Sequence, residues 1–256
     1  MRINGHAGHN PDGKIGCGAI GLIKESTEAR KVNKYVIKHL KKAKHTVKDC
    51  TVSNGKSVSD ILDKIVTMCN QDTADIDYSI HFNCGRGDKK GDNSIGGTEV
   101  LIYTDKNEEL LKIAKNVADS ISKCGYKLRC DSTTPKGYDG VKIRKDLYFL
   151  KHTKAPAMLI ECCFVDDKDD IEIYNAKKMA QAITVGILNS FDIIEYTTKK
   201  KCKVYNSKGK KLGTIKKNTT CNIDKVKFID NKLYGRRKKH KHWILLKNLK
   251  VDNGQL

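Results

Sequence analysis

His9 follows a strand-like run near the start of the chain, and His81 sits inside Tyr78-Ser79-Ile80-His81-Phe82-Asn83; both are residues of a type that binds zinc. Glu25 lies between them, and Glu161 closes the apolar run Ala157-Met158-Leu159-Ile160. Two imidazoles and a carboxylate fill three positions of a tetrahedral zinc and leave the fourth for water, on which a second carboxylate can work. That is the outline of a metal-dependent hydrolase. Glu161, between Ile160 and Cys162, is expected to be partly buried, and burial raises the pKa of an acid into the range that suits proton transfer. Read singly, each residue is ordinary: a histidine after a strand is often a loop residue, and Glu25 alone is a helix N-terminal carboxylate favoured by the helix dipole.

Two histidines compete for the first position, because His6 and His9 each follow a glycine. Only five residues precede His6, too few for a strand to cross a sheet at about 3.3 Å per residue, so His9 is the expected ligand. Glu28, one turn beyond Glu25, is expected to face away from the loop.

The elements that must position these groups alternate. Glu25 to Lys44 places Ala29, Val32, Val36, Ile37 and Leu40 at helical spacing, followed by a strand over Thr46 to Val52. Ser57 caps a second helix running to Asn70, and Asp77 to Phe82 forms a short buried strand. Gly97 to Tyr103 reads as a strand, Asn107 to Gly125 as a helix, Ala157 to Phe164 as a strand and Asp169 to Ser190 as the last helix. Strands apolar on both faces and separated by helices predict an α/β fold, a twisted, mostly parallel sheet flanked by helices. Ligands in such folds collect at the carboxyl ends of strands, where His9, His81 and Glu161 fall, with Glu25 in the first turn of the first helix.

The net charge of +20 is uneven: from Tyr196 to Leu256 there are 19 Lys and Arg against 3 acids. That tail reads as short strands at Lys203 to Asn206, Leu212 to Ile215, Thr220 to Ile223, Leu233 to Gly235 and His242 to Leu246, the spacing of a small all-β barrel. The expected division is a catalytic unit over 1–191, a linker over 192–200 and a small β domain over 201–256. Ten cysteines without a CxxC pair read mostly as reduced, buried small side chains. No run approaches the roughly 20 apolar residues of a membrane span, and the N-terminus lacks the apolar core of a signal peptide.

Several motifs, in order, resemble the zinc-dependent N-acetylmuramoyl-L-alanine amidases (amidase type 3) of bacterial autolysins and phage endolysins. They are Gly8-His9 with Gly18-Ala19-Ile20-Gly21 and Lys24-Glu25-Ser26, then Ser79 to Asn83, Gly96-Gly97-Thr98-Glu99-Val100, Lys145 to Leu150, and Ala157 to Glu161. The resemblance covers residues 1 to about 191. It implies one zinc per chain held by His9, Glu25 and His81, with Glu161 as catalytic carboxylate and Asn83 orienting substrate or loop. The bond cut would join N-acetylmuramic acid to L-alanine in peptidoglycan.

The tail resembles bacterial SH3-like wall-binding domains, with Tyr234, Arg236, Arg237 and Trp243 as candidate contacts to an anionic wall polymer. Basic residues interleaved with aromatics are also a nucleic-acid footprint, so a basic nucleic-acid-binding protein is the competing class. Paired with this catalytic unit, wall binding is favoured, with neither nucleic acid nor membrane as a partner. A cysteine hydrolase using His81 or His152 is a third class, but no cysteine stands in a nucleophile motif. The expected setting is a phage endolysin of a clostridial-type Gram-positive host. It would be made in the cytoplasm and act on the wall after membrane permeabilisation. A bacterial autolysin or a spore mother-cell lysis enzyme has the same sequence logic.

Overall fold

In the computed structural model, residues 1–191 and 194–251 are described. The first unit is built from β1 (Arg2–Ala7), α1 (Glu25–Lys42), β2 (Thr46–Asp49), α2 (Val58–Asn70), β3 (Ile76–Asn83), β4 (Glu99–Ile102), α3 (Glu108–Ser122), β5 (Val141–Ile143), α4 (Tyr148–His152), β6 (Ala157–Phe164), α5 (Lys168–Ile173) and α6 (Ala176–Leu188). Its six strands lie in the order β2-β1-β3-β6-β4-β5. The pairs β1/β2, β1/β3, β3/β6 and β4/β5 are parallel, and β4 runs antiparallel to β6. The expected mostly parallel sheet therefore carries a reversed β4/β5 pair. Strands buried on both faces have no alternation from which direction could be read.

Two apolar layers sandwich this sheet. One face packs α1, α3 and α6 through Val32, Leu40, Val117, Ile121, Met179 and Ile183. The other packs α2 and α4 through Ile61, Ile65, Phe149 and Leu150. Helix ends are fixed by caps: the Ser57 hydroxyl accepts from Asp60 N, and the Asn107 side chain accepts from Leu110 N. The last helix, expected to be continuous from Asp169 to Ser190, is two. Tyr174 and Asn175 are extended, and the Asn175 side chain accepts from Lys177 N and Lys178 N, so an N-cap starts a new helix where the apolar period alone runs on.

A second, antiparallel sheet holds β7 (Ile194–Thr198), β8 (Cys202–Tyr205), β9 (Lys211–Ile215), β10 (Thr220–Ile229), β11 (Lys232–Arg237), β12 (Trp243–Leu245) and β13 (Leu249–Lys250), in the order β13-β7-β10-β11-β12-β8-β9. β7 lies within the stretch expected as linker, of which 192 and 193 fall outside the described residues. This sheet packs on the first unit. The Asn189 side chain donates to Val226 O and accepts from Val226 N, and Tyr196 Oη donates to Ala43 O at the C-terminal cap of α1. Among the described residues, no helix is long and apolar enough to cross a membrane.

Candidate active site

β1, β3 and β6 deliver the site from adjacent positions. Gly8 N donates to Ile80 O just beyond the end of β1, and His81 pairs in register with Glu161, which in turn pairs with Glu99 of β4. His9 comes next, with a φ of 67°, a left-handed conformation uncommon for a non-glycine residue. Arg30 of α1 holds that turn by donating from both terminal nitrogens to His9 O at 3.1 Å and from one of them to Val52 O at 2.6 Å.

The first turn of α1 brings Glu25 to both histidines. Its Oε1 stands 3.1 Å from His9 Nε2 and 3.0 Å from His81 Nδ1, and the two rings lie edge to face with centroids 4.8 Å apart. Backbone donors fix the carboxylate: Phe82 N reaches Oε1 at 3.2 Å and Ala19 N reaches Oε2 at 2.8 Å. Burial pushes the Glu25 carboxyl upward, but hydrogen bonds to His81 and His9 outweigh it and hold the group well below the usual range. Burial lowers His81 against the opposing pull of Glu25, which favours the neutral imidazole. An ionised carboxylate and imidazole nitrogens with ligand atoms within 4.8 Å of one another form a donor set that fits a divalent cation of the zinc type.

Two glycines allow this approach. A Cβ on Gly8 would fall on the His81 ring, 2.1 Å from Cε1, 2.3 Å from Nε2 and 2.7 Å from Nδ1. A Cβ on Gly18, whose φ is +77°, would stand 2.6 Å from Glu25 Oε2 and 2.8 Å from His9 Cδ2. A glycine directly before a candidate ligand is the signal in the sequence that points to such crowding.

Glu161 stands beside the triad, with Oε2 buried and without a hydrogen-bond partner. Burial, then the charges of Glu25 and Glu99, push its carboxyl well above the usual range, with Arg144 and Arg129 opposing. Thr98 Oγ1 donates to Glu161 O at 2.8 Å and pins the strand. Beyond it lies a network that joins Asn83 and Glu99, both within the motifs, to Arg129, Lys142 and Asp131, which lie outside them. Glu99 accepts from Asn83 Nδ2 at 2.7 Å and from Arg129 Nε at 3.2 Å, and it pairs with Lys142, which also reaches Asp131 at 3.0 Å. Asn83 thus acts first as a partner of Glu99. Only period-2 spacing links these residues to the site, and β5 is three residues long, too short to register as a strand.

The structure brings His9, Glu25, His81 and Glu161 together and leaves His6 and Glu28 apart. His6 is buried in β1, its ring edge on Phe149, and Glu28 accepts from Tyr174 Oη and from Lys31 Nζ. Tyr234 and Trp243 are largely covered, on the sheet face they share with Lys227, whose ammonium lies over the Trp243 ring. Arg236 makes a two-pronged pair with Asp224, and Arg237 is half-buried. The exposed cations of that turn are Lys238, Lys239 and Lys241.

Residues 3–192 match the profile of the N-acetylmuramoyl-L-alanine amidases. The chain belongs to that family. An uncharacterized protein of Clostridium perfringens is 35% identical over 180 residues, covering 69% of this chain and 48% of that one. An uncharacterized cell wall amidase of Bacillus anthracis is 30% identical over 145 residues, 54% of this chain and 25% of the other. The chain thus spans about half the length of the C. perfringens relative it matches and a quarter of the B. anthracis protein. Among solved structures, the catalytic domain of an endolysin targeting Clostridia Difficile superposes with a TM-score of 0.62 at 24% identity, covering 74% of this chain and 97% of that one. An N-acetylmuramyl-L-alanine amidase of Mycobacterium smegmatis gives 0.59 at 19%, covering 74% and 96%. Both share the fold. The second sheet lies outside the residues matched to the family.

Proposed function

We propose that this member of the amidase family hydrolyses the amide between the lactyl group of N-acetylmuramic acid and L-alanine in peptidoglycan, with one zinc ion held by His9, Glu25 and His81. The observation that carries the reading is the convergence of two imidazole nitrogens and one carboxylate oxygen beside Glu161, which is in register with His81. Zinc bound at those three atoms would supply Lewis acidity toward the amide carbonyl oxygen and a water acidified toward neutrality. Glu161 takes a proton from the attacking water at its carboxylate and delivers it to the departing nitrogen of L-alanine. The products are a lactyl carboxylate and a free amino terminus. Asn83 and Glu99, tied to each other, stand beside Glu161, with which Glu99 is in register.

The tail is read as an SH3-like wall-binding domain whose exposed lysines meet an anionic wall polymer, holding the enzyme on its substrate by effective concentration. Burial of Tyr234 and Trp243 takes them out of contact with either polymer and leaves the exposed Lys238, Lys239 and Lys241 as the groups that would meet it. The setting that fits is a phage endolysin of a Gram-positive host acting after membrane permeabilisation. Metal analysis of the purified protein together with mass spectrometry of digested walls tests the chemistry. One zinc per chain and new L-alanyl amino termini are expected. New reducing sugar ends, or unchanged walls, would refute it.

A further inference from the structure

Seven large hydrophobic side chains are exposed among the described residues, and three of them, Ile15, Ile20 and Leu22, fall in the single loop that joins His9 to Glu25. Ile20 is 60% and Leu22 43% exposed. The loop is held in place rather than splayed. Asn10 Nδ2 donates to Ile15 O at 2.9 Å, Glu25 N to Ala19 O at 3.0 Å, and Leu22 N to Val165 O at 2.7 Å. Its backbone also touches the ligand set, because Ala19 N donates to Glu25 Oε2 at 2.8 Å. Ile20 follows in the next position, about 3.8 Å further along the chain. A fixed apolar rim thus stands directly beside the residues that would hold the metal, and apolar surface kept exposed at a site marks contact with a ligand.

The side chains around Glu99 have different chemistry. Beyond Glu161 stand Asn83, Glu99, Arg129 and Lys142, a hydrogen-bonding and charged surface. A substrate that joins a sugar polymer to a peptide at the scissile amide has two matching halves. Its glycan offers pyranose C–H faces and acetyl methyl groups; its peptide offers amides and carboxylates. On the reading of the site as a muramoyl amidase, we infer that Ile20 and Leu22 form the subsite for the glycan half, and that the peptide half lies over the Asn83–Glu99 pair. The polarity of the cleft is then set by the loop from His9 to Glu25.

The test uses the full chain with Ile20→Ser/Leu22→Ser, two exposed positions whose change leaves the backbone anchors in place. Two soluble substrates carry the same stem peptide, one on a single N-acetylmuramic acid and one on a tetrasaccharide. For the unmodified enzyme the longer glycan lowers KM. In the double variant KM for the tetrasaccharide rises about tenfold and the advantage of the longer glycan disappears, with zinc content held at the unmodified level. The inference is overturned if the glycan-length advantage persists in the variant, or if its loss of affinity follows peptide length instead. It is also overturned if the variant changes only self-association by light scattering. If the unmodified enzyme cleaves neither substrate, the amidase reading itself fails; if it cleaves both and the variant behaves identically, only the glycan subsite fails.

Discussion

Gly8→Ala is the sharpest probe of how the site is assembled. The change adds one methyl group at a position whose backbone is ordinary, so no left-handed strain enters. The methyl would stand 2.1 Å from His81 Cε1, 2.3 Å from Nε2 and 2.7 Å from Nδ1, whereas ordinary contact begins near 3.4 Å. Nδ1 must therefore retreat by at least about 0.7 Å, or β1 must part from β3 by a similar amount. The strands resist, because Gly8 N is bonded to Ile80 O at 2.9 Å and His6 pairs in register with Ser79 two residues below. The ring gives way, and the atom that moves is the one standing 3.0 Å from Glu25 Oε1.

A misplacement approaching 1 Å at a reacting site costs on the order of 10²-fold in rate, and disturbance of a metal ligand costs about 10- to 100-fold in affinity. Gly8→Ala is expected to lose about 10²-fold in kcat/KM on soluble muramoyl peptide and at least about tenfold in zinc affinity, measured by competition with a chelating dye. Gly213→Ala serves as the control, since a Cβ there meets nothing within 4 Å. Activity and zinc affinity of Gly8→Ala within threefold of the unmodified chain would refute the argument that backbone proximity to His81 fixes the ligand geometry.

Further expectations follow from other contacts. Glu161→Gln keeps the shape and should retain one zinc per chain while turnover falls by about 10² to 10⁴-fold; loss of zinc together with activity would instead make Glu161 a structural support of the site. Removing the Asn175 cap with Asn175→Ala should cost about 1 kcal/mol in denaturant unfolding, and no change would mean that the start of α6 is held by packing alone. Burial raises the Asp77 carboxyl to about 7, so the folded chain keeps a proton that the unfolded chain releases above about pH 4. Stability therefore falls between about pH 4 and about pH 7 and levels off above; Asp77→Asn should flatten that slope, worth a few kcal/mol, in Tm against pH.

The helical period of Ala29, Val32, Val36 and Leu40 placed α1, and with it Glu25 at the helix start, because an amphipathic stripe must face the core. β6 was legible because seven of its eight residues are apolar, interrupted only by Glu161, which leaves few alternatives to a strand. Direction was not legible: β4 is buried on both faces whichever way it runs, so its antiparallel pairing with β6 left no mark in the residues. That reversal matters for the site, since it puts Glu99 at the level of Glu161. In the tail, Tyr234 and Trp243 share one face of the sheet with Lys227 and Arg236, and Lys227 covers the Trp243 ring, while Lys238, Lys239 and Lys241 turn out on the connection between the two strands.

The two units meet the same helix at opposite ends. Glu25 opens α1 at the site, whereas His39, against the Phe228 ring, and Ala43, bonded to Tyr196, take the tail at its far end. Eighteen helical residues at 1.5 Å each separate those ends by about 27 Å, more than three Debye lengths of about 8 Å at physiological salt. On the proposed reading, the exposed charge of the tail is expected to be screened from the active site and to act where a polymer is long enough to engage both ends. Lys238→Gln/Lys239→Gln/Lys241→Gln should weaken sedimentation with whole walls and flatten its salt dependence, as three screened cations are lost. On a soluble muramoyl peptide, kcat/KM should stay within about twofold at every salt concentration, because the active site lies beyond the reach of those charges. A parallel loss on the soluble substrate would refute the separation of poles and place the tail's charge in the catalytic step.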